Sequence, residues 1–239
     1  MSGLGAQYEL VVNCRGRVSE VPGYLINIKD IDQVVRAIAV PEIQRRLLGQ
    51  EGTGSIQPGE VLPVLTGSLR EPLRGLLLSL RWMLTPYYSV EMTVAAPTTV
   101  LVRQKFDFCA AHRLHVASLS DEENRRLFGK CNYPGGHGHN YQFEPCIAVT
   151  LDATGKQRFI VQDLERLADD LIIQRFDHKN LNQDTSEFRD GSGLNPSVEN
   201  IARVCFELLV GAVSTANPAA RLQSVTVWES DRTSCTYPG

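Results

Sequence analysis

Strand patterns dominate several stretches in the second half of the chain. The run TVLVRQKFDFCAAHRL (99–114) is a long β-rich segment that ends near His112, and Asn140 to Leu151 forms a second one. The turn DATGKQ (152–157) leads into a short strand, RFIV (158–161), which predicts a hairpin. The final segment, LQSVTVWESDRTSCTY (222–237), is again a β pattern, with a bend near Ser230 to Arg232.

Helical patterns lie between these strands. SDEENRRLFGK (120–130) begins with Ser120 or Asp121 as a helix cap, and DLERLADDLIIQR (163–175) has apolar residues at helical spacing. NPSVENIARVCFELLVGAV (195–213) predicts another helix, with Asn195 as its cap and Pro196 in its first turn. Strands and helices that follow one another in this order predict an α+β fold.

The first half of the chain contains a degenerate copy of this order of strands and helices. YLINIKDI resembles IVQDLERL, which pairs Asn27 with Asp163, and MTVAAPTTVLV resembles VTVWESDRTSCTY, which pairs Ala96 with Glu229. The offsets, 163 − 27 = 136 and 229 − 96 = 133, are nearly constant and suggest a duplication, with residues 68–84 as the second helix of the copy. We predict a degenerate repeat without catalytic residues over 1–100 and a catalytic domain over 101–239. A generic α+β extension is the alternative for the first part.

The charge and cysteine content narrow the class of partner. A net charge of −3 with 21% charged residues gives no basic field, so we expect neither a nucleic acid nor a membrane surface as partner, and a small-molecule task fits better. The N-terminus lacks the pattern of a leader and no apolar run is long enough to span a membrane, which predicts a cytoplasmic protein. In a reducing compartment, five cysteines in apolar segments are expected to be small core residues: Cys14, Cys109, Cys146, Cys205 and Cys235.

Three histidines form a candidate metal site. His137 and His139 are two positions apart, so on a strand they point to the same side, and His112 ends a neighbouring strand. Three imidazoles without an obvious fourth ligand are the pattern of a catalytic zinc that keeps one position open for water or substrate. The alternative is a pair of surface or core histidines that bind no metal.

Three further positions carry possible chemistry. Cys131 lies in a Gly/Pro-rich loop and is either a reactive thiol, a fourth zinc ligand or an inert thiol. Asp177 precedes His178, and a carboxylate can orient an imidazole and raise its basicity, although the pair can equally be structural. Glu229 sits within a β pattern, where burying an unpaired acid is costly, so it either finds a partner or lies on an exposed strand face.

Six motifs in order resemble one known family: FCAAHRL, LSDEENRRLFGKCNYPGGHGHNY, VQDLERL, FDHKNLN, NPSVENIA and VTVWES. They are similar to the 6-pyruvoyltetrahydropterin synthase and 6-carboxytetrahydropterin synthase family, from about Arg103 to the C-terminus. The resemblance implies the tunnelling (T-) fold, an antiparallel sheet with two helices on one face. It also implies a homo-oligomer with active sites between subunits. We expect a trimer or hexamer, since three chains with two repeats each would supply the six sheet units that are usual in the family.

The resemblance also implies roles for the candidate residues. His112, His137 and His139 would hold Zn²⁺ on the side-chain hydroxyls of 7,8-dihydroneopterin triphosphate, a pterin substrate. Cys131 matches the family's proton-abstracting cysteine, and Asp177 with His178 matches its relay. Glu229 matches the acid that anchors the amino-pyrimidine edge of the pterin.

Three functions follow from these expectations. The spacing C-x5-H-G-H from Cys131 to His137 favours a lyase that forms 6-pyruvoyltetrahydropterin, whereas carboxy-forming members usually have C-x3-H-G-H. The alternatives are a 6-carboxytetrahydropterin synthase of deazapurine (queuosine) synthesis and a non-catalytic pterin-binding or scaffold protein. Two residues depart from the family pattern, Tyr133 and Ser230, and neither is a predicted ligand.

Overall fold

The structure is a computed structural model that describes residues 9–48 and 56–239. The prediction that the chain has no leader concerns residues 1–8 and therefore lies outside these ranges. The chain divides into two compact units: residues 1–103 with 148–160 form unit 1, and residues 104–147 with 161–239 form unit 2. The division differs from the predicted domains, 1–100 and 101–239, chiefly because the segment 148–160 packs with unit 1.

Unit 1 consists of a sheet in the order β1-β2-β3-β4 and two helices. Its elements are β1 (Glu9–Cys14), α1 (Ile28–Leu48), a 3-10 turn (Pro58–Glu60), α2 (Leu62–Arg70), β2 (Leu77–Met83), β3 (Tyr88–Thr93) and β4 (Thr99–Gln104). β2 pairs antiparallel with β1 and β3. Leu62, Leu65 and Leu69 form one face of α2 and are fully buried, which accounts for the helix packing on β2 and β3.

The prediction of a helix over residues 68–84 is wrong. α2 ends at Arg70, and Arg74 and Gly75 take left-handed backbone angles (φ 55° and 71°) that end any helical continuation. The apolar run after them becomes β2, in which Leu80 is buried and hydrogen-bonded strands lie on both sides. A continuous apolar run does not separate a buried strand from a buried helix, so the tertiary pairing decides.

The segment 148–160 belongs to unit 1 through polar contacts. Lys156 Nζ lies 2.8 Å from Glu60 Oε2, and the backbone N–H of Gln157 donates to Glu60 Oε1. The predicted short strand RFIV is wrong: Phe159 is a buried loop residue, and a helix begins at Val161. Asp152 closes the preceding turn by accepting hydrogen bonds from the N–H groups of Thr154 and Lys156, as the DATGKQ pattern predicts.

Unit 2 contains a sheet in the order β7-β5-β6-β8-β9 and the longest helix of the unit. Its strands are β5 (Phe106–His112), β6 (His137–Thr150), β7 (Lys179–Asn180), β8 (Ala220–Ser230) and β9 (Thr233–Tyr237). Its helices are α3 (Asp121–Phe128), a 3-10 turn (Gly129–Asn132), α4 (Val161–Ala168), a π-helical turn (Asp169–Ile173), α5 (Gln174–Phe176), α6 (Leu181–Asp184) and α7 (Val198–Ala216). β5 and β6 are antiparallel, as are β8 and β9, and α7 packs on the latter pair and on α4. The predicted α+β class is confirmed.

Helix ends show where the local predictions succeed and fail. Ser120 caps α3 in a capping box with Glu123, as predicted. α7 is capped by Ser197 rather than by Asn195. Asn195 instead uses its side-chain oxygen to accept from the N–H of His115 and its carbonyl to accept from Asn200. The side-chain amide of Asn195 therefore joins the segment before α7 to the loop at His115.

The described elements of unit 1 follow the same order as those of unit 2 from β6 onward. The correspondence pairs β1 with β6, α1 with α4, α2 with α7, β2 with β8 and β3 with β9. In each unit the first strand lies next to the first strand of the final hairpin: β1 next to β2, and β6 next to β8. This order supports the proposed repeat. It pairs β2 with β8, so the match of Ala96 with Glu229 is not the one that the topology favours.

The cysteines are more varied than predicted. Cys146 and Cys205 are buried as expected, and Cys14 and Cys235 are half-buried. Cys109 is exposed, because odd-numbered residues of β5 point away from the core. Across the described helices, none has both the length and the apolar character needed to cross a membrane.

Candidate metal centre

The pairing of β5 with β6 brings the three predicted histidines together. His112 lies opposite His137, and Ala110 lies opposite His139, so the three imidazoles share one face of the sheet. The loop before His137 fits closely: Gly136 has φ 69°, and a Cβ there would lie 3.0 Å from the carbonyl oxygen of His112. Glycine is thus required where the loop turns into β6.

A carboxylate completes the cluster. His112 Nε2 lies 3.0 Å from His137 Nε2 and 3.2 Å from Glu229 Oε1, and His139 Nε2 lies 3.5 Å from the same oxygen. One ligand atom from each of the four residues falls within 4.8 Å of all the others. β8 positions Glu229 at the end of its strand, next to the imidazoles.

The buried imidazole of His112 has a fixed orientation. Its Nδ1 lies 2.7 Å from the carbonyl oxygen of Pro196, to which only a protonated Nδ1 can donate. In the neutral ring the Nε2 lone pair then faces the cluster. Metal-binding histidines are commonly oriented in this way, with the other ring N–H donated to a carbonyl.

The donor types, and three of the separations between them, are compatible with a divalent cation. Zinc–nitrogen bonds of about 2.0–2.1 Å give ligand atoms about 3.3–3.4 Å apart, close to the three separations above. Two imidazole nitrogens at 3.0 Å need a proton or a cation between their lone pairs. His137, His139, His112 and Glu229 can therefore hold a metal ion.

Electrostatics keep the ligands in the form that binds a cation. Burial lowers the pKa of His137 and His139, and neighbouring imidazoles add to this effect. The adjacent imidazole of His112 lowers the pKa of Glu229, so this carboxylate is ionised. Neutral imidazoles and an ionised carboxylate are the ligand forms of metal sites.

An aromatic layer supports the cluster. Tyr141 is fully buried below His139 and His112, with ring centroids 5.4 and 5.9 Å away, and Phe108 stacks on it at 5.1 Å. Burial raises the pKa of Tyr141, and the charge of Glu229 adds to the rise. The imidazoles therefore rest on a rigid apolar floor.

Cys131 lies in the 3-10 turn that follows α3. The residue is half-buried, and its carbonyl oxygen accepts a hydrogen bond from the N–H of Leu114, two residues beyond His112. This hydrogen bond holds the backbone of Cys131 next to the segment that follows His112.

Asp177 and His178 form a second group, at the edge of the sheet. Asp177 accepts a hydrogen bond from the N–H of Cys109 (2.8 Å), and its other oxygen lies 2.7 Å from His178 Nδ1. The Cys109 bond is the main cause of the lowered pKa of Asp177. His178 has φ 55°, its side chain is 81% exposed, and it borders an open groove of about 510 Å³ with Cys109 and Asn140. Cys109 and Asn140 alternate with the cluster residues along their strands, so their side chains point to the other face of the sheet.

Three residues that hold His112 and the segment after it in place were not predicted from the sequence. Asn182 binds both the N–H and the carbonyl of Arg113, and Asn132 donates to the carbonyl of Leu114, so both hold the segment after His112 in place. The third, Pro196, acts through its carbonyl. Side-chain bonds between segments 18 to 84 positions apart leave no local signal, although the asparagines do lie within the motifs FDHKNLN and GKCNYPGGHGH.

A mostly antiparallel sheet with packed helices and a His₃Glu cluster that could hold a metal ion defines an α+β protein with a candidate metal centre. Residues 101–239 match the family model described as 6-pyruvoyl tetrahydropterin synthase. The chain therefore belongs to this family, whose members are lyases of pterin biosynthesis, and the predictions of an enzyme with a T-fold are confirmed.

Individual relatives agree with this assignment. The chain is 36% identical over 138 residues to the 6-pyruvoyl tetrahydrobiopterin synthase of Homo sapiens, covering 58% of this chain and 90% of the relative. It is 39% identical over 134 residues to a putative 6-pyruvoyl tetrahydrobiopterin synthase of Caenorhabditis elegans, covering 55% and 89%. The solved structure of the C. elegans 6-pyruvoyl tetrahydropterin synthase matches with a TM-score of 0.53 and 35% identity, covering 59% of this chain and 96% of that one.

Proposed function

We propose that this chain is a zinc-dependent lyase that converts 7,8-dihydroneopterin triphosphate to 6-pyruvoyltetrahydropterin with loss of triphosphate. The single observation that carries the proposal is the convergence of three imidazole nitrogens and one carboxylate on a common point. The spacing of Cys131 from His137 and the names of the relatives support the pyruvoyl product.

His112, His137 and His139 are the proposed ligands of the zinc. A bound divalent cation supplies Lewis acidity, which makes substrate hydroxyls more acidic and stabilises negative charge that develops next to them. The protein's own contribution is orientation: the Pro196 carbonyl holds His112 in one tautomer, and the Tyr141 ring supports His139 from below.

Cys131 is the proposed base. Its Sγ accepts the proton that is removed from the substrate side chain. The 3-10 turn fixes its backbone through the hydrogen bond to Leu114, which directly follows the His112–Arg113 pair. The backbone of Cys131 is thus joined to the segment that follows His112, which supports the role because proton transfer requires a base held in a fixed position.

Asp177 and His178 are the proposed relay. Asp177 Oδ2 accepts from His178 Nδ1, which leaves Nε2 free to exchange a proton with a substrate. His178 is mostly exposed at the sheet edge. We propose that it serves an active site between subunits of a homo-oligomer, a trimer or hexamer, as the resemblance to the family implies.

Glu229 is the proposed pterin anchor. A carboxylate can accept two parallel hydrogen bonds from the amino-pyrimidine edge, and the position of Glu229 beside the imidazoles would bring the pterin against the metal. Glu229→Gln should keep zinc bound through three imidazoles while raising KM. Zinc loss as severe as that of a histidine variant would make Glu229 a ligand and would refute the anchor role.

Product analysis tests the proposal as a whole. Zinc-loaded protein is incubated with 7,8-dihydroneopterin triphosphate, and the products are separated by chromatography and mass spectrometry. We expect 6-pyruvoyltetrahydropterin and free triphosphate; 6-carboxytetrahydropterin with acetaldehyde would support the deazapurine-pathway alternative. Cys131→Ala should abolish turnover and leave zinc content unchanged. Absence of any triphosphate release by the unaltered protein would favour the non-catalytic binding alternative.

A further inference from the structure

A small basic cavity lies beside the loop that carries Cys131. Its volume is about 280 Å³, and it is lined by Arg113, Asp121, Arg125, Gly129, Lys130, Asn132, Tyr133 and Pro134. Three cationic side chains thus face one carboxylate, that of Asp121. Pockets for drug-sized ligands have volumes of about 300–1,000 Å³. This cavity is slightly smaller, so it suits one group of a ligand rather than a whole ring system with its substituents.

The cations of this cavity are available to a ligand. In the described part of the chain, no carboxylate lies within ion-pair distance of Arg113, Arg125 or Lys130, although Asp121 is one helical turn from Arg125. Other arginines on the helices of this chain do form such pairs, as Arg203 does with Glu207. A shared cavity of like charges without carboxylate partners favours an anion.

Arg113 is held as a preorganised donor. Asn182 binds its backbone on both sides, at 2.8 and 3.0 Å, and its Nε donates to the carbonyl oxygen of Asn132 at 3.0 Å. A guanidinium has five N–H donors, so the remaining ones stay available for phosphate oxygens. The cost of ordering this side chain is therefore met by the fold before a ligand arrives.

Three residues that line the cavity are sequence neighbours of the site residues described above. Arg113 directly follows His112, and Lys130 and Asn132 flank Cys131 on both sides. We propose that this cavity binds the triphosphate group of the substrate, with Arg113, Arg125 and Lys130 as its partners. This inference rests on the proposed function for the identity of the substrate, but binding of a polyphosphate can be measured without turnover.

Calorimetric titration with inorganic tripolyphosphate tests the cavity directly. The titration is made on zinc-loaded protein and again after removal of the metal, because tripolyphosphate also chelates zinc. Arg125→Ala should weaken binding in both forms by about tenfold or more, the loss of one charge-assisted hydrogen bond. Asp121→Asn should strengthen binding, since it removes the repelling carboxylate. Opposite signs for neighbouring positions on α3 are not expected from a change in helix stability.

Arg126→Ala is the matched control, because Arg126 is the next residue on α3 and does not line the cavity. It should bind tripolyphosphate as the unaltered protein does. Equal weakening by Arg126→Ala and Arg125→Ala, or no binding by the metal-free protein, would overturn the proposal.

Steady-state kinetics separate this inference from the proposed function. If both hold, Arg125→Ala raises KM for dihydroneopterin triphosphate about tenfold and changes kcat little. Turnover with an unchanged KM in Arg125→Ala refutes the cavity and leaves the function in place. Tripolyphosphate binding that depends on Arg125 in a protein without turnover refutes the function and supports the cavity as a polyphosphate site.

Discussion

Removing the metal, and then one of its ligands, tests the candidate centre most directly. A ligand that binds only the folded chain stabilises it by RT ln(1 + [L]/Kd), which is about 4.1 kcal/mol at a free concentration of about 1,000 Kd. For a chain of this length, about 1 kcal/mol shifts Tm by about 2–4 °C. Zinc added to metal-free protein should therefore raise Tm by roughly 8–16 °C at that excess.

His112→Ala should remove most of this shift. The imidazole of His112 is fully buried and is the one closest to two other ligand atoms, at 3.0 and 3.2 Å. Loss of a group that only orients a ligand weakens metal binding by about 10–100-fold, so we assign at least about 100-fold to the ligand itself. At the same zinc concentration, about 1.4 kcal/mol then remains, which is a shift of roughly 3–6 °C.

The assay is thermal unfolding followed by circular dichroism, with and without zinc for each variant. The zinc-induced difference is the measured quantity, because His112→Ala also leaves a cavity that lowers Tm in both conditions. His178→Ala is the control, since its side chain is 81% exposed and outside the cluster, and it should keep the full shift. An undiminished shift in His112→Ala would refute the assignment of the centre, as would a lost shift in His178→Ala.

Three further predictions follow from burial, pKa and capping. Because burial lowers the pKa of His137 and His139 below the ordinary value of about 6.5, the unfolded metal-free chain binds more protons than the folded one just below that pH. Its stability to urea should fall as pH drops from about 7.5 to about 5, and a flat profile would contradict this. Phe108→Ala should cost about 3–5 kcal/mol in urea unfolding because the ring is 2% exposed within an aromatic stack, whereas Leu127→Ala, at a position 64% exposed, should change stability by less than about 0.5 kcal/mol. Ser120→Ala should cost about 1 kcal/mol through the lost capping box, and a cost near zero would mean that α3 does not need its cap.

The sequence predicts the parts of this site that depend on local spacing. His137 and His139 share a face because strand side chains alternate, and Ser120 caps α3 because its motif is local. The run at residues 68–84 gave the wrong element, since its burial comes from strands on both sides rather than from helical periodicity. The prediction that Asn195 caps α7 was wrong for a related reason. The side chain of Asn195 accepts a hydrogen bond from the N–H of His115, and Ser197 caps the helix instead.

The features of the site that the sequence did not predict depend on contacts between distant parts of the chain. Glu229 was expected to need a donor partner, and the structure supplies imidazoles that lie 90 or more positions earlier in the chain. The basic cavity joins residues of the segment after β5, of α3 and of the turn and loop after α3, none of which forms a recognisable phosphate motif. Such sites become visible only when the strands have been paired.

The hydrogen bond from His112 to the carbonyl of Pro196 spans 84 positions and ties the metal centre to the start of α7. A shortened chain that ended before Pro196 would still contain every proposed imidazole ligand, yet the ring of His112 would lose the carbonyl that fixes its orientation. At the proposed zinc site, high-affinity binding should accordingly arise only after the segment at Pro196 has been synthesised and has docked on His112.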